Sequence, residues 1–151
     1  MAKWAWLDVR LAAGRVLAVC LVAPVVLAAP VEGPLETVVF DQGDTIRGVA
    51  ERYLKDPDLW PQILELSGVG SVAELRPGAR LLVPVVQVAA ADEALAVSLG
   101  SIQRATAEGA RIFAPVEIGS AIENRDLAVE RRGVGDWAEV VSYGGIATGF
   151  A

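Results

Sequence analysis

The stretch Val38-Val39-Phe40-Asp41-Gln42-Gly43-Asp44-Thr45-Ile46 decides how this chain folds. Its first residues are β-branched or aromatic, which is typical of a strand. Gly43 can adopt a positive φ that strains other residues, and Asp44 and Thr45 are both suited to cap a helix. The stretch therefore predicts a strand, a tight turn and the beginning of a helix.

Downstream of this turn, apolar residues repeat at helical spacing twice and then form a second strand-like run. The first repeat predicts a helix over residues 45–54. Pro57 breaks it, and the second repeat predicts another helix from about Asp58. Residues 79–83 are strand-like and stop at Pro84. The predicted order is strand, helix, helix, strand.

Residues 36–84 resemble a LysM domain, a small module that binds the sugar backbone of peptidoglycan or chitin. The opening stretch is similar to the family's Gly-Asp-Thr followed by a large apolar residue, and Val49–Tyr53 to its first helix. Leu75–Pro84 matches its closing signature, with the motifs in the same order. Ser67 stands where the family usually has Asn. The resemblance implies a βααβ module.

The resemblance also implies a shallow groove between two loops, with the turn Gly43–Ile46 as one wall and a loop at about Ser67–Leu75 as the other. Main-chain groups of such loops would pair with the acetamido groups of an N-acetylglucosamine-containing glycan, and an apolar side chain would contact the sugar face. The glycan-binding residues that it implies are Gly43, Asp44, Thr45, Ile46, Ser67, Gly68, Val69 and Leu75.

Several of these residues also have a purely structural interpretation. Asp44 and Thr45 would act as helix caps whether or not a ligand binds. Ile46 fits the apolar stripe of the first helix, so it also fits the core. Trp60 is attractive as a platform for a sugar ring, but packing against the first helix or the linker is the simpler expectation, since a buried Trp is a common core element.

The first thirty residues have the pattern of a secretory signal peptide. Three basic residues precede the uncharged apolar run Val16–Val31, which closes on small residues. We expect a signal peptide over residues 1–28, a linker over residues 29–35, and an exported chain in the periplasm or cell envelope. An uncleaved membrane anchor and lipid attachment at Cys20 are the alternatives. In either case the chain would meet a membrane only through this segment.

Composition limits the chemistry. The net charge is −6 at pH 7, and the first 28 residues are basic, so the remainder is still more acidic. An acidic chain is repelled by phosphate backbones, so we expect no nucleic-acid partner. The chain has no His, and its single Cys is Cys20, which argues against Cys/His nucleophiles, the Ser-His-Asp triad and the common zinc sites. We expect no cofactor, no metal and no catalytic residue.

The last third of the chain has a helical composition. Residues 85–91 read as a linker, and residues 92–151 carry apolar residues at intervals of three or four. Pro115 can open one helix, and Asp136 with Glu139 can cap another through a capping box. The predicted fold class is α+β, in which the small module is followed by an all-α helical hairpin or three-helix tail.

These features predict a non-catalytic, peptidoglycan-binding protein of the cell envelope. The helical tail would dock a protein partner or self-associate. Two other functions remain open. One is a cell-wall hydrolase with a divergent catalytic domain in the tail. The other is a structural adaptor whose LysM-like module no longer binds glycan.

Overall fold

A computed structural model describes residues 33–151 of the chain. The predicted signal peptide, its cleavage site and Cys20 lie outside these residues. The described part is mostly helical, with one two-stranded antiparallel sheet and six helices. This arrangement is compatible with the predicted α+β class.

The elements follow the predicted order and then add a helical bundle. They are β1 (Glu36–Val39), α1 (Ile46–Leu54), α2 (Trp60–Leu66), β2 (Arg80–Val83), α3 (Val85–Ala107), α4 (Ala110–Phe113), α5 (Pro115–Gly133) and α6 (Trp137–Phe150). Two short 3₁₀ turns, Pro57–Leu59 and Val72–Glu74, precede α2 and β2. The second helix therefore begins two residues later than predicted, because Pro57 opens a 3₁₀ turn instead of the α-helix.

The pairing of β1 with β2 determines which loops are neighbours. The strands are antiparallel, and Val39 at the end of β1 lies opposite Arg80 at the start of β2. The Phe40 N–H donates to the Ala79 carbonyl at 2.8 Å, which continues the pairing past the strand ends. The turn after β1 and the loop before β2 consequently lie at the same end of the sheet.

Helix α1 confirms the prediction for residues 45–54, with Thr45 as its N-cap. The Thr45 hydroxyl accepts a hydrogen bond from the Gly48 N–H at 3.1 Å. Val49 and Leu54 on the inner face are buried. The helix ends at Lys55, whose φ of +60° is left-handed.

The passage over residues 85–91, expected as a linker, forms the first turns of α3. Val88 and Ala91 in this passage are buried in the same apolar cluster as the module. Tertiary packing thus extends the helix where the sequence lacked a clear periodic signal. By length and composition alone, α3 is a helix that could cross a membrane, and here it packs against α5 and α6.

The tail is a three-helix bundle of α3, α5 and α6, with the single-turn α4 between α3 and α5. Pro115 is the first residue of α5, as predicted. Asp136 caps α6 by accepting from the Glu139 N–H at 3.3 Å. The predicted capping box also requires the Glu139 side chain to bond back to the Asp136 N–H. Here the Glu139 carboxylate pairs with Arg131 at 2.9 Å instead.

The bundle is docked on the module. Trp137 and Val140 of α6 belong to the same buried cluster as the residues of α1, α2 and β2. The Gln62 side chain of α2 donates to the Gly135 carbonyl at 2.9 Å and accepts from the Trp137 indole N–H at 3.2 Å. Arg132 lies over the Trp137 ring at 5.8 Å from its centroid. Module and tail therefore share one core.

Candidate functional site

The turn after β1 is held together by its own polar groups. The Asp44 carboxylate accepts from the Asp41 N–H at 3.0 Å, and the Asp44 N–H donates to the Asp41 carbonyl at 3.1 Å. Gly43 has a φ of +96° with open space around its Cα. The other oxygen of the Asp44 carboxylate faces Arg52 at 3.4 Å. Asp44 thus builds the turn and leaves the main chain at Gly43 exposed.

Thr45 and Ile46 differ in accessibility. Thr45 is exposed although its hydroxyl is engaged in capping α1. The Ile46 side chain is only 7% exposed and belongs to the core. The Ile46 side chain is therefore not available to a sugar, because the first helical position faces inward here. Only its main chain can contribute to a groove.

Ser67 joins the end of α2 to β2. Its hydroxyl donates to the Ile63 carbonyl at 2.6 Å and accepts from the Leu82 N–H at 2.9 Å. The hydroxyl thus supplies an acceptor for the Leu82 N–H and adds a second bond to the Ile63 carbonyl, which already accepts from the Ser67 N–H. Ser67 consequently has a structural role at the base of this wall, and its one O–H donor is already used within the protein.

The loop after Ser67 alternates between exposed and inward-facing positions. Gly68 is exposed with a φ of +66°, and Val69 packs partly against the core. Leu75 is only 8% exposed and lies in the core. As with Ile46, its burial excludes the Leu75 side chain from contact with a sugar.

Val72 is the apolar residue that sequence reasoning did not single out. It begins the 3₁₀ turn Val72–Glu74, which Ser71 caps by accepting from the Ala73 N–H at 3.2 Å. The Val72 side chain is 43% exposed. The available signal was a single β-branched residue in the short run Gly70–Glu74. A single large apolar residue in such a run belongs to no periodic pattern that would place it in the core.

The two predicted walls each contribute a buried side chain to one apolar core. Strand pairing places Ala79, at the end of the second loop, beside Phe40, and Ile46 and Leu75 belong to the same core cluster. The candidate groove is the name used below for the surface that the exposed main chain at Gly43 and Gly68 and the exposed Val72 side chain would provide. Such a surface offers hydrogen-bonding groups and one apolar contact, and these are the groups that an acetamido sugar needs.

Trp60 does not contribute to this surface. Its side chain is half-buried and packs against the core cluster of the module, which agrees with the packing interpretation. Within residues 33–151, no group of three or more His, Cys, Asp or Glu side chains is placed to hold a metal ion.

No protein family, no curated protein and no solved structure matches this chain. The likeness to the LysM family therefore rests on the two motifs at residues 38–46 and 75–84 and on the order of the elements between them.

Proposed function

We propose that residues 36–84 form a LysM-type module that binds the N-acetylglucosamine-containing glycan strand of peptidoglycan. The observation that supports this proposal is the antiparallel pairing of β1 and β2, because it places Phe40, which leads into the turn Gly43–Ile46, beside Ala79 at the end of the loop that follows Ser67. In this proposal the contacts are made by the main chain around Gly43 and Gly68 and by the Val72 side chain.

A groove of this kind binds weakly and in a charge-independent manner. With few polar contacts and one apolar side chain, we expect a Kd between about 0.1 and 1 mM, or about −4 to −5.5 kcal/mol. N-acetylglucosamine is neutral, so the acidic character of the chain does not oppose binding of this sugar.

Co-sedimentation of the intact protein with purified peptidoglycan sacculi tests the proposal. We expect the protein to pellet with sacculi and Val72→Glu to lose pelleting, because a carboxylate replaces the apolar contact. Val129→Glu is the matched control, because Val129 is 46% exposed on α5 and Val72 is 43% exposed. Circular dichroism establishes that both variants are folded. A folded protein that stays in the supernatant contradicts the proposal.

This pair replaces the more obvious test at Thr45 and Ile46. Ile46→Ala would open a cavity in the core, and removing buried methylene groups typically costs about 2–5 kcal/mol. Lost pelleting by that variant would report unfolding as readily as lost contact. Val72 is free of this ambiguity because its side chain is exposed.

We further propose that the protein is exported and non-catalytic. The export part rests on the sequence pattern of residues 1–28, and amino-terminal sequencing of the exported protein tests it, with Ala29 as the expected first residue. A zymogram tests the second part. A lytic band in a peptidoglycan gel would favour the hydrolase alternative.

The adaptor function is the second candidate, and the docking of the bundle on the module favours it. Gln62, Gly135 and Trp137 connect the two parts through hydrogen bonds, and such a module can serve as a packing unit without any ligand. In the proposed function this same docking presents the groove on a rigid body while the bundle engages a protein partner or a second copy. Pelleting with sacculi separates the two functions.

A further inference from the structure

A concave feature lies between α1 and the first turns of α3. This cavity has a volume of about 330 Å³. Val85 and Ala89 contribute an apolar side from α3, and Arg52 and Lys55 contribute two cationic side chains from the end of α1. It is called the α1–α3 cavity below.

The two cationic side chains at the α1–α3 cavity are only partly neutralised by carboxylates. The Lys55 ammonium donates to the Arg52 carbonyl at 3.3 Å and pairs with no carboxylate within residues 33–151. The Arg52 guanidinium reaches Asp44 only at 3.4 Å, and its side chain is 58% exposed. Asp92 also lines the cavity, but it is paired with Arg132 at 2.9 Å. The cavity is therefore locally positive in a protein of net charge −6.

The backbone at Lys55 is the second observation. With a φ of +60°, Lys55 is the one non-glycine residue with a positive φ in the part of the chain that the structure describes. Helices that end in this conformation usually carry Gly at that position, since a Cβ is strained there. A lysine kept in a strained position beside a cavity is a reason to seek a role for its side chain.

We propose that the α1–α3 cavity binds a short peptide that has a free carboxylate and small apolar side chains. The carboxylate lies between Arg52 and Lys55, where charge-assisted hydrogen bonds are strong. A small side chain such as a methyl group packs against Val85 and Ala89. The volume is at the lower end of ligand pockets and suits about two small residues.

The cavity also adjoins the candidate groove. Arg52, which lines the cavity, contacts Asp44 in the turn that forms one wall of the groove. A peptide attached to a glycan strand in the groove would reach the cavity, so the peptides of peptidoglycan are the ligand class inferred here. This link, unlike the peptide site itself, rests on the proposed function.

The test is a chemical-shift titration of the ¹⁵N-labelled intact protein with acetyl-Ala-Ala, and separately with its C-terminal amide. We expect the acid to shift the amide signals of Lys55 and Ala89, and the amide form to leave them unchanged. Lys55→Gly keeps the left-handed conformation while removing the cation, so it should weaken acid binding about fivefold. Arg80→Gln, an exposed cation on β2 outside the cavity, is the control and should bind as before.

Equal shifts with the acid and the amide would overturn the proposal, as would unchanged binding by Lys55→Gly or no shifts at α1 and α3. A parallel titration with a soluble oligomer of N-acetylglucosamine separates the two proposals. Binding of the sugar without the peptide overturns the peptide site and leaves the proposed function standing. Binding of the peptide without the sugar supports the peptide site and removes its link to a glycan.

Discussion

At the scale of single residues, the polar side chains of the Gly43–Ile46 turn are used to build the turn. The Asp44 carboxylate bonds to the Asp41 N–H and contacts Arg52, and the Thr45 hydroxyl caps α1. Side chains so engaged have little capacity left for a ligand. Recognition by this turn would consequently fall on the exposed main chain, which tolerates changes of side chain as long as the turn keeps its shape.

The cap at Thr45 gives the first prediction. Thr45→Ala removes the acceptor for the Gly48 N–H and should lower the free energy of unfolding by about 1 kcal/mol. Thr45→Ser keeps the hydroxyl and should change it by no more than a few tenths of that amount. Urea denaturation of both variants measures the difference. Equal stability of the two would mean that the hydroxyl does not cap the helix in solution.

At Lys55 we predict a substitution that raises the free energy of unfolding. Because Lys55 has a φ of +60°, Lys55→Gly should relieve backbone strain and raise the free energy of unfolding by about 0.5–1 kcal/mol. Lys55→Ala keeps the Cβ and serves as the control, with no such gain. A loss of stability in Lys55→Gly would indicate that the lysine side chain contributes packing that exceeds the strain.

At the scale of elements, the contact between α3 and α6 depends on one glycine. A Cβ added at Gly144 would lie 3.0 Å from the Ala94 Cβ and 3.2 Å from its carbonyl carbon. Main-chain atoms cannot yield as a flexible side chain does, so the helices would have to separate. Gly144 therefore allows the close approach of α6 to α3.

Neighbouring glycines of α6 make this contact testable. Gly144→Ala should destabilise the protein by about 1–3 kcal/mol through overpacking. Gly145→Ala meets nothing within 4 Å, and in a helix interior it should stabilise by up to about 1 kcal/mol. Thermal denaturation compares the two directly. Similar effects from both substitutions would contradict the close packing of α3 on α6.

Elements that depend on local chemistry were predictable, and those that depend on packing were not. Thr45, Pro115 and Asp136 mark helix starts because capping and the absence of a proline N–H act within one turn. The helix over residues 85–91 was missed because its order comes from Val88 and Ala91 in a distant core. No local pattern carries that information.

The same division applies to the candidate groove. The two loops were predicted as neighbours through the LysM resemblance, and strand pairing places the end of the second loop, at Ala79, beside Phe40. Which side chains face outward was less accessible to sequence reasoning. Ile46 points inward, in line with the apolar stripe of α1, whereas the burial of Leu75 and the exposure of Val72 depend on how their loop lies over the core.

At the scale of the whole molecule, the module and the bundle share one apolar core. Buried side chains of α1, α2 and β2 lie in one cluster with Trp137 and Val140 of α6. The hydrogen bonds of Gln62 to Gly135 and Trp137 cross the same boundary. Two parts connected in this way should unfold together.

Native-state hydrogen exchange tests this cooperativity. The buried amides of Val49 in α1 and Val140 in α6 should exchange with the same free energy of opening, equal to that of global unfolding. Trp137→Phe removes the indole bond to Gln62 and should lower both values by about 1 kcal/mol. A module that opens well below the bundle, or is unaffected by this substitution, would show that the two parts fold independently.

The most direct test of the central claim is where a sugar binds on the intact, ¹⁵N-labelled protein. A titration with a soluble oligomer of N-acetylglucosamine should shift the amide signals of Gly43, Gly68 and Val72 with a Kd between about 0.1 and 1 mM. Signals from α5 and α6 should stay in place. No shifts at these loops, or shifts confined to the bundle, would contradict a glycan-binding groove between the two loops.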